Sequence, residues 1–236
     1  MNRKVFSMSF KYDKYERGKI MNVNKMIDHT NLKPTATEAD IKKLCREAAE
    51  NHFASVCINP CNIPMAKKLL EGSDVKVCTV IGFPLGANSL TIKAAETAEA
   101  YEMGCDEFDM VINIGALKDG KYDYVRDEIA AVVAAAKGKC VKVIIETGLL
   151  TDDEKIMATK LSCEAGACFV KTSTGVSSTG ATVHDVALMK SNVSEGVKVK
   201  ASGGIKTAEF ALELVEAGAD RLGTSSGIAI SEGLKG

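Results

Sequence analysis

The most constraining feature of the sequence is a junction that recurs three times, in which an amphipathic stretch ends at a glycine and an apolar stretch follows at once. The glycines are Gly104, Gly166 and Gly218, and each stands two residues after a glutamate. Glycine favours the left-handed backbone conformation that closes a helix. Successive junctions are about two strand–helix units apart, so the pattern predicts a chain built from repeated βα units.

Short runs rich in β-branched residues alternate with Ala-rich amphipathic runs. The predicted strands are Lys25–His29, Ala54–Ile58, Lys76–Ile81, Glu107–Ile112, Val141–Glu146, Cys168–Thr172, Val197–Ala201 and Arg221–Thr224. The predicted helices are Glu38–Asn51, Pro60–Glu71, Ser89–Met103, Tyr122–Lys137, Asp152–Ala165, Val183–Lys190 and Ala208–Ala217, with a short last helix after Ser226. Nearly continuous apolar strands are typical of parallel strands that helices cover.

Eight strands that alternate with helices favour an α/β fold, a single closed (β/α)8 TIM barrel. A doubly wound sheet is the alternative, although the loop after the first strand has no GxGxxG sequence. The chain has 236 residues, a usual length for one barrel. We therefore expect residues 21–236 to form one catalytic barrel domain and residues 1–20 to form an N-terminal extension.

The charge balance argues against two classes of partner. Lys and Arg number 30 against 31 Asp and Glu, which gives a net charge of −1 and no broad basic surface for nucleic acid or an anionic membrane. No apolar run reaches the ~18 residues that a spanning helix needs. We therefore expect neither nucleic acid nor a membrane as a partner, whereas a small phosphorylated molecule remains compatible with the charge.

The cysteines argue against a metal site. There are eight of them with no CxxC pair, and the chain has three histidines, so we predict no metal and no cofactor. Several thiols lie within apolar runs, as Cys57 does between Val56 and Ile58, which is typical of reduced core cysteines. The expected compartment is therefore a reducing one, the cytoplasm.

Two lysines end neighbouring predicted strands. Lys171 follows Phe169 and Val170, and Lys200 ends the next strand, and small polar residues follow both. A lysine in an apolar strand is costly unless it is paired or used. If both face the barrel mouth, each ammonium disfavours protonation of the other, and a free amine can attack a carbonyl. The alternative is that both side chains point outward into solvent.

An acidic residue and two loops complete the candidate site. Asp109 stands among apolar residues of the fourth predicted strand and shares a face with Glu107, so it could relay protons or form a structural ion pair. Ser202-Gly203-Gly204 and Gly223-Thr224-Ser225-Ser226 follow the seventh and eighth strands, where barrels often bind phosphate. Ordinary tight turns are the alternative for both loops.

Six motifs in order resemble those of the deoxyribose-phosphate aldolases, a family of class I aldolases, over residues 21–226. They are Ile27-Asp28-His29-Thr30-Asn31-Leu32-Lys33-Pro34, Ala54-Ser55-Val56-Cys57-Ile58-Asn59-Pro60, Val80-Ile81-Gly82-Phe83-Pro84-Leu85-Gly86, Glu107-Phe108-Asp109-Met110-Val111-Ile112-Asn113-Ile114-Gly115, Lys171-Thr172-Ser173-Thr174-Gly175 and Lys200-Ala201-Ser202-Gly203-Gly204-Ile205.

The resemblance implies a (β/α)8 barrel that reversibly cleaves 2-deoxy-D-ribose 5-phosphate to D-glyceraldehyde 3-phosphate and acetaldehyde. It implies that Lys171 forms the Schiff base, that Asp109 relays protons, and that Lys200 relays protons and lowers the proton affinity of Lys171. It also implies a homodimer or larger homo-oligomer without a metal. The substrate-binding candidates, most of them for the phosphate, are Gly203, Gly204, Ser225, Ser226, Thr172, Cys57 and Asp28.

The chain departs from the family pattern in two places. Val176 stands where the family often has a lysine or an aromatic residue, and the chain ends at Gly236, soon after the last strand. A phosphate contact from a lysine at position 176 and a long C-terminal tail are therefore expected to be missing, which bears on phosphate preference.

Three other functions stay open on the residues alone. The first is another Schiff-base barrel aldolase that acts on a keto acid or a ketose. The second is a sugar-phosphate isomerase, for which Glu146 is the candidate enolising base. The third is a catalytically silent barrel that binds a phosphorylated metabolite.

Overall fold

The computed structural model describes residues 22–177 and 179–235, so the predicted extension, residues 1–20, lies outside the described residues. Strands pair in parallel in chain order, and the first also pairs with the last, which closes the sheet into a barrel. The strands are β1 (Ile27–Asn31), β2 (Ser55–Ile58), β3 (Lys76–Ile81), β4 (Glu107–Val111), β5 (Cys140–Ile144), β6 (Phe169–Lys171), β7 (Lys198–Ser202) and β8 (Arg221–Thr224). The predicted (β/α)8 barrel is confirmed.

The helices run between the strands on the outside of the barrel. They are α1 (Glu38–Glu50), α2 (Ile63–Leu69), α3 (Leu90–Glu102), α4 (Ile114–Lys118), α5 (Tyr122–Ala135), α6 (Asp152–Glu164), α7 (Val183–Lys190), α8 (Ala208–Glu216) and α9 (Gly227–Gly233). Gly104, Gly166 and Gly218 follow three of them with φ of 92°, 85° and 111°, as the repeated junction predicts.

Some element boundaries differ from the prediction for local reasons. A 3₁₀ helix occupies Val23–Met26, so β1 begins later than expected. The predicted helix from Pro60 divides into a 3₁₀ turn and α2, because Pro64 lacks an N–H and suits the first turn of an α-helix. The N-cap of α1 is Thr37, which forms a capping box with Asp40.

Two different cores fill the molecule. Aliphatic side chains on the outward face of the strands pack against the helices in one large cluster. The inward face carries a small apolar group of Cys57, Cys78 and Val80 and otherwise many polar and charged side chains. Because side chains alternate along a strand, the outward residues build the fold and the inward ones build the site.

Candidate active site

Each strand of the barrel sends at least one functional side chain toward the axis. Alternation along the strands and the register between them place these residues in successive layers, as in other barrels of this type. They are Asp28 (β1), Cys57 (β2), Cys78 (β3), Glu107 and Asp109 (β4), Lys142 (β5), Lys171 (β6), Lys200 (β7) and Arg221 (β8). Most of these side chains are fully buried.

Lys171, Lys200 and Asp109 meet at one carboxylate oxygen. The Nζ of Lys171 lies 2.7 Å from Asp109 Oδ2, and the Nζ of Lys200 lies 2.6 Å from the same atom. The two amines therefore cannot be farther apart than the sum of those distances. The expectation that both lysines point outward is ruled out, and their approach inside the barrel is observed.

Lys142 is a third lysine of this cluster, which sequence reasoning missed. Its Nζ donates to Asp109 Oδ1 at 2.8 Å and lies 2.7 Å from Glu107 Oε2. Asp28 in turn accepts a hydrogen bond from Lys200. Lys142 also interrupts an apolar strand, so a buried and paired lysine was as predictable there as at Lys171.

The ionisation of the cluster follows from this pairing. Burial disfavours the charged form of Lys200, but Asp109 and Asp28 outweigh it and raise the pKa of its ammonium. The pKa of Lys142 is also raised, against burial, chiefly by Asp109. Burial alone would raise the pKa of Asp109, yet the lysines Lys142, Lys171 and Lys200 hold it well below its usual range. At neutral pH, Lys200 is therefore a cation beside Lys171, and Asp109 is a carboxylate.

A cavity of about 590 Å³ lies at the carboxyl ends of β1, β6, β7 and β8. Lys171 contributes to its wall while only 3% of the residue is exposed. Gly203, Gly204 and Ser225 line the same cavity, as does the exposed Val176. The structure therefore joins the buried amine to both predicted phosphate loops in one space.

The loop after β7 approaches its neighbour so closely that it excludes side chains. Gly203 and Gly204 have φ of 90° and 76°, where L-residues other than glycine are strained. A Cβ on Gly203 would lie 2.9 Å from the Cα of Gly180, whereas one on Gly204 would meet nothing within 4 Å. Within 22–177 and 179–235, the backbone N–H groups of Gly204 and Ser225 find no acceptor, so both remain available to a ligand.

The other predicted binding residues lie behind the cavity wall. Thr172 is buried and exchanges hydrogen bonds with the backbone of Ser202, which ties β6 to β7. Cys57 is fully buried, and the backbone N–H of Ser226 donates to Thr224 Oγ1 at 2.9 Å. The cavity lining does not include Asp28, Cys57, Thr172 or Ser226.

Glu146, the candidate base of an isomerase, is hydrogen-bonded to the loop that follows β6. Its carboxylate accepts hydrogen bonds from the backbone N–H of Thr174 at 3.1 Å and from the hydroxyl of Ser177 at 2.9 Å. It has a left-handed φ of 55° and does not line the cavity. The side chain therefore holds the loop after β6 and does not face a substrate.

Two groups of side chains have the spacing of metal ligands. Cys57, Cys78 and Asp109 have ligand atoms within 4.8 Å of one another, but three lysines already neutralise Asp109. Asp152, His184 and Asp185 form the second group, in which Lys155 binds both carboxylates. The cationic partners therefore oppose a divalent ion at both places. In the described ranges, no helix is long and apolar enough to cross a membrane.

Lyases of the aldolase type combine such a barrel with a buried lysine at the strand ends, and the chain falls in that class. More particularly, it belongs to the DeoC/LacD family of aldolases, whose family model matches residues 22–233. The resemblance inferred from the six motifs is thereby confirmed.

Named relatives agree with this assignment. The chain is 60% identical over 216 residues to the deoxyribose-phosphate aldolase of Carboxydothermus hydrogenoformans, covering 90% of this chain and 95% of the relative. It is 59% identical over 213 residues to that of Clostridium tetani, covering 90% and 99%. Among solved structures, the tetrameric deoxyribose-phosphate aldolase from Aeropyrum pernix superposes with a TM-score of 0.85 at 38% identity, covering 90% and 91%.

Proposed function

We propose that this chain is a deoxyribose-phosphate aldolase that cleaves 2-deoxy-D-ribose 5-phosphate reversibly to D-glyceraldehyde 3-phosphate and acetaldehyde. The observation that carries the proposal is the placement of the Lys171 amine on Asp109, beside Lys200, in the wall of a cavity that reaches two small-residue loops. The relatives that match over 90% of the chain carry this name.

In the proposed reaction, the free amine of Lys171 attacks the aldehyde carbon C1 of the open-chain sugar phosphate. Loss of water gives an iminium ion, which withdraws electrons from the adjacent bond. The C2–C3 bond then breaks, the proton of the C3 hydroxyl leaves, and glyceraldehyde 3-phosphate is released. The remaining enamine takes a proton at C2, and water hydrolyses the iminium to acetaldehyde and the free lysine.

Asp109 and Lys200 are proposed to move these protons, because both lie within hydrogen-bond reach of the Lys171 amine or of its partner oxygen. Gly203, Gly204 and Ser225 are proposed to hold the phosphate at the far end of the cavity, and Ser226 to support that loop through its hydrogen bond to Thr224. Binding energy from the phosphate then positions the reacting carbon against Lys171. Asp28 supports the position of Lys200, while Thr172 and Cys57 support the wall around the substrate.

Borohydride trapping tests the Schiff base directly. Incubation with acetaldehyde and borohydride should add a two-carbon unit to the peptide that contains Lys171, and Lys171→Ala should form no adduct and no product. If no adduct appears on Lys171 and Lys171→Ala still turns over, the proposal is wrong. Release of acetaldehyde from deoxyribose 5-phosphate, measured with a coupled dehydrogenase, separates this activity from that of an aldolase for keto acids.

We further propose that the barrel, residues 21–236, is the catalytic domain, that it assembles into a homo-oligomer, and that it works in the cytoplasm. The tetrameric description of the Aeropyrum pernix relative supports the homo-oligomer. The eight unpaired thiols support a reducing compartment such as the cytoplasm. Light scattering coupled to size-exclusion chromatography would give a single-chain mass if the assembly is absent.

A further inference from the structure

Glu107 and Arg221 form an ion pair at the end of the barrel opposite the cavity. Each is the first residue of its strand, and neither lines the cavity. The guanidinium of Arg221 donates to Glu107 Oε2 at 3.3 Å and to Asp28 Oδ1 at 2.7 Å. The ring of Phe169 lies 5.3 Å from the guanidinium carbon and covers it. With 15% of its side chain exposed, Arg221 is a largely buried cation far from the substrate.

This pair is connected to Lys171 by an unbroken series of charged contacts. Arg221 binds Asp28, Asp28 binds Lys200, and Lys200 shares Asp109 with Lys171. A second branch runs from Glu107 to Lys142 at 2.7 Å and from Lys142 to Asp109 at 2.8 Å. A charge placed on Glu107 or Arg221 therefore acts on Lys171 through a buried region where solvent screening is weak.

The other groups that face this series are thiols, an aromatic ring and an exposed lysine. Two of the thiols, Cys140 of β5 and Cys168 just before β6, lie near Glu107, and a hydrogen bond from Cys140 lowers the pKa of the Cys168 thiol to about 6. β2 and β3 contribute thiols. Burial raises the pKa of the Cys78 thiol, whereas a hydrogen bond from Cys78 lowers the pKa of the Cys57 thiol.

β6 contributes the Phe169 ring. Lys198 of β7 lies 5.9 Å from that ring and is exposed to solvent, although it shares the face of its strand with Lys200. The helices pack on the outward face of the strands, and the buried Lys93–Glu128 ion pair on that side carries no net charge.

The carboxylates and the cations of the interior are equal in number only when Lys171 is uncharged. The carboxylates are Asp28, Glu107 and Asp109, and the cations other than Lys171 are Lys142, Lys200 and Arg221. These six charges cancel, so a proton on Lys171 leaves a net positive charge in the buried cluster. A buried uncompensated charge is unfavourable, so this cluster is neutral when Lys171 is the free amine.

We propose that Glu107 and Arg221 are positioning residues that set this charge balance and thereby the pH at which Lys171 becomes a nucleophile. They act through Lys142, Asp28 and Lys200 and do not touch the substrate. The inference rests on the proposed function, because it assumes that the free amine of Lys171 is the reacting form.

Neutralising the two residues one at a time should move the activity in opposite directions. Glu107→Gln removes a negative charge, so Lys171 loses its proton more readily and the acid limb of the pH profile for acetaldehyde trapping moves to lower pH. Arg221→Met removes a positive charge and moves the limb to higher pH. Each displacement should be about one pH unit, a tenfold change in proton concentration. The double variant should return the limb to its original position.

Two further variants separate charge from packing. Arg221→Lys keeps the charge and should leave the limb in place, so a comparison with Arg221→Met stands even if Glu107→Gln does not fold. Lys198→Met removes an exposed cation at the same barrel end and should leave the profile unchanged. The inference is overturned if the acid limb of the pH profile lies at the same pH in all variants. It is also overturned if the limb moves in the same direction for Glu107→Gln and Arg221→Met. An absence of any wild-type adduct at Lys171 overturns the proposed function instead, so the two failures are distinguishable.

Discussion

Lys93 of α3 and Glu128 of α5 form an ion pair of 2.7 Å in which neither side chain is exposed. The Lys93 amine also donates to the carbonyl of Val111 at 2.8 Å, and the Glu128 carboxylate accepts the backbone N–H of Asn113 at 2.5 Å. Val111 ends β4 two residues after Asp109, and Asn113 follows the strand as the N-cap of α4. The pair therefore fixes the end of the strand that carries the central carboxylate of the site.

Removal of one partner of this pair should cost more than removal of both. Burial lowers the pKa of Lys93 and raises that of Glu128, so desolvation opposes both charges. Lys93→Met leaves Glu128 buried without a counter-ion, and we expect the free energy of unfolding to fall by about 3–5 kcal/mol. The double variant Lys93→Met/Glu128→Leu should recover part of this loss.

Urea unfolding followed by circular dichroism measures both values. Lys42→Ala, which removes the exposed partner of Glu38, is the matched control and should give no measurable change. A single variant that is no less stable than the double variant would contradict the role assigned to the pair.

The two glycines of the loop after β7 should respond differently to alanine. Gly204→Ala meets only the strain of a positive φ, about 1–2 kcal/mol, because the space around a new Cβ is open. Gly203→Ala adds a collision with the backbone of Gly180, so it should lower the free energy of unfolding further and displace the loop. The KM for deoxyribose 5-phosphate should rise more for Gly203→Ala than for Gly204→Ala.

Deoxyribose without phosphate is the control substrate for this pair of variants. Its kcat/KM should change much less, since the loop is proposed to hold only the phosphate. Equal losses of kcat/KM for both substrates would show that the substitution disturbs Lys171 and not the phosphate contact of the loop.

Cys168 should be the most readily alkylated thiol near neutral pH. It is exposed, and a hydrogen bond from Cys140 lowers the pKa of its thiol to about 6, although partial burial opposes the charge. Because the pKa is lowered, the reactive thiolate is present above pH 6 and is lost as the pH falls through that value. Cys140→Ala removes the donor and should move the half-maximal alkylation rate to higher pH.

Iodoacetamide labelling at a series of pH values, read by peptide mass spectrometry, gives the rate for each cysteine. Cys61 is also exposed and serves as the internal reference. Its labelling should not respond to Cys140→Ala, and an unchanged profile at Cys168 would show that Cys140 is not the donor.

The fold could be predicted because its signals are local. Short windows of sequence contain the alternation of strands and helices and the glycines at positions 104, 166 and 218. The differences at β1 and α2 came from local 3₁₀ turns. α4 was missed because five residues are too few to show a helical period. Lys171 and Lys200 were found because each interrupts an apolar strand near its end, and Asp109 because it is an acid among apolar strand residues.

The remaining partners depend on register, which no short window contains. Asp28 lies 172 residues from Lys200 in the sequence, and Arg221 lies 114 from Glu107, yet both pairs touch inside the barrel. Lys93 and Glu128 look like ordinary residues of solvated helix faces, and only the packing of α3 on α5 shows that they are buried. The closure of the barrel, which brings distant parts of the sequence together, therefore determines which charged side chains are in contact.

The charged interior also constrains how the chain can assemble in the first place. A slip of β5 by one residue would turn Lys142 outward and place Val141 or Val143 against Glu107 and Asp109. An aliphatic barrel interior could tolerate such an exchange of one apolar layer for another, whereas unpaired carboxylates cannot. The residues proposed to transfer protons therefore also disfavour barrels with a shifted strand register. The same positions serve both catalysis and the correct pairing of the strands.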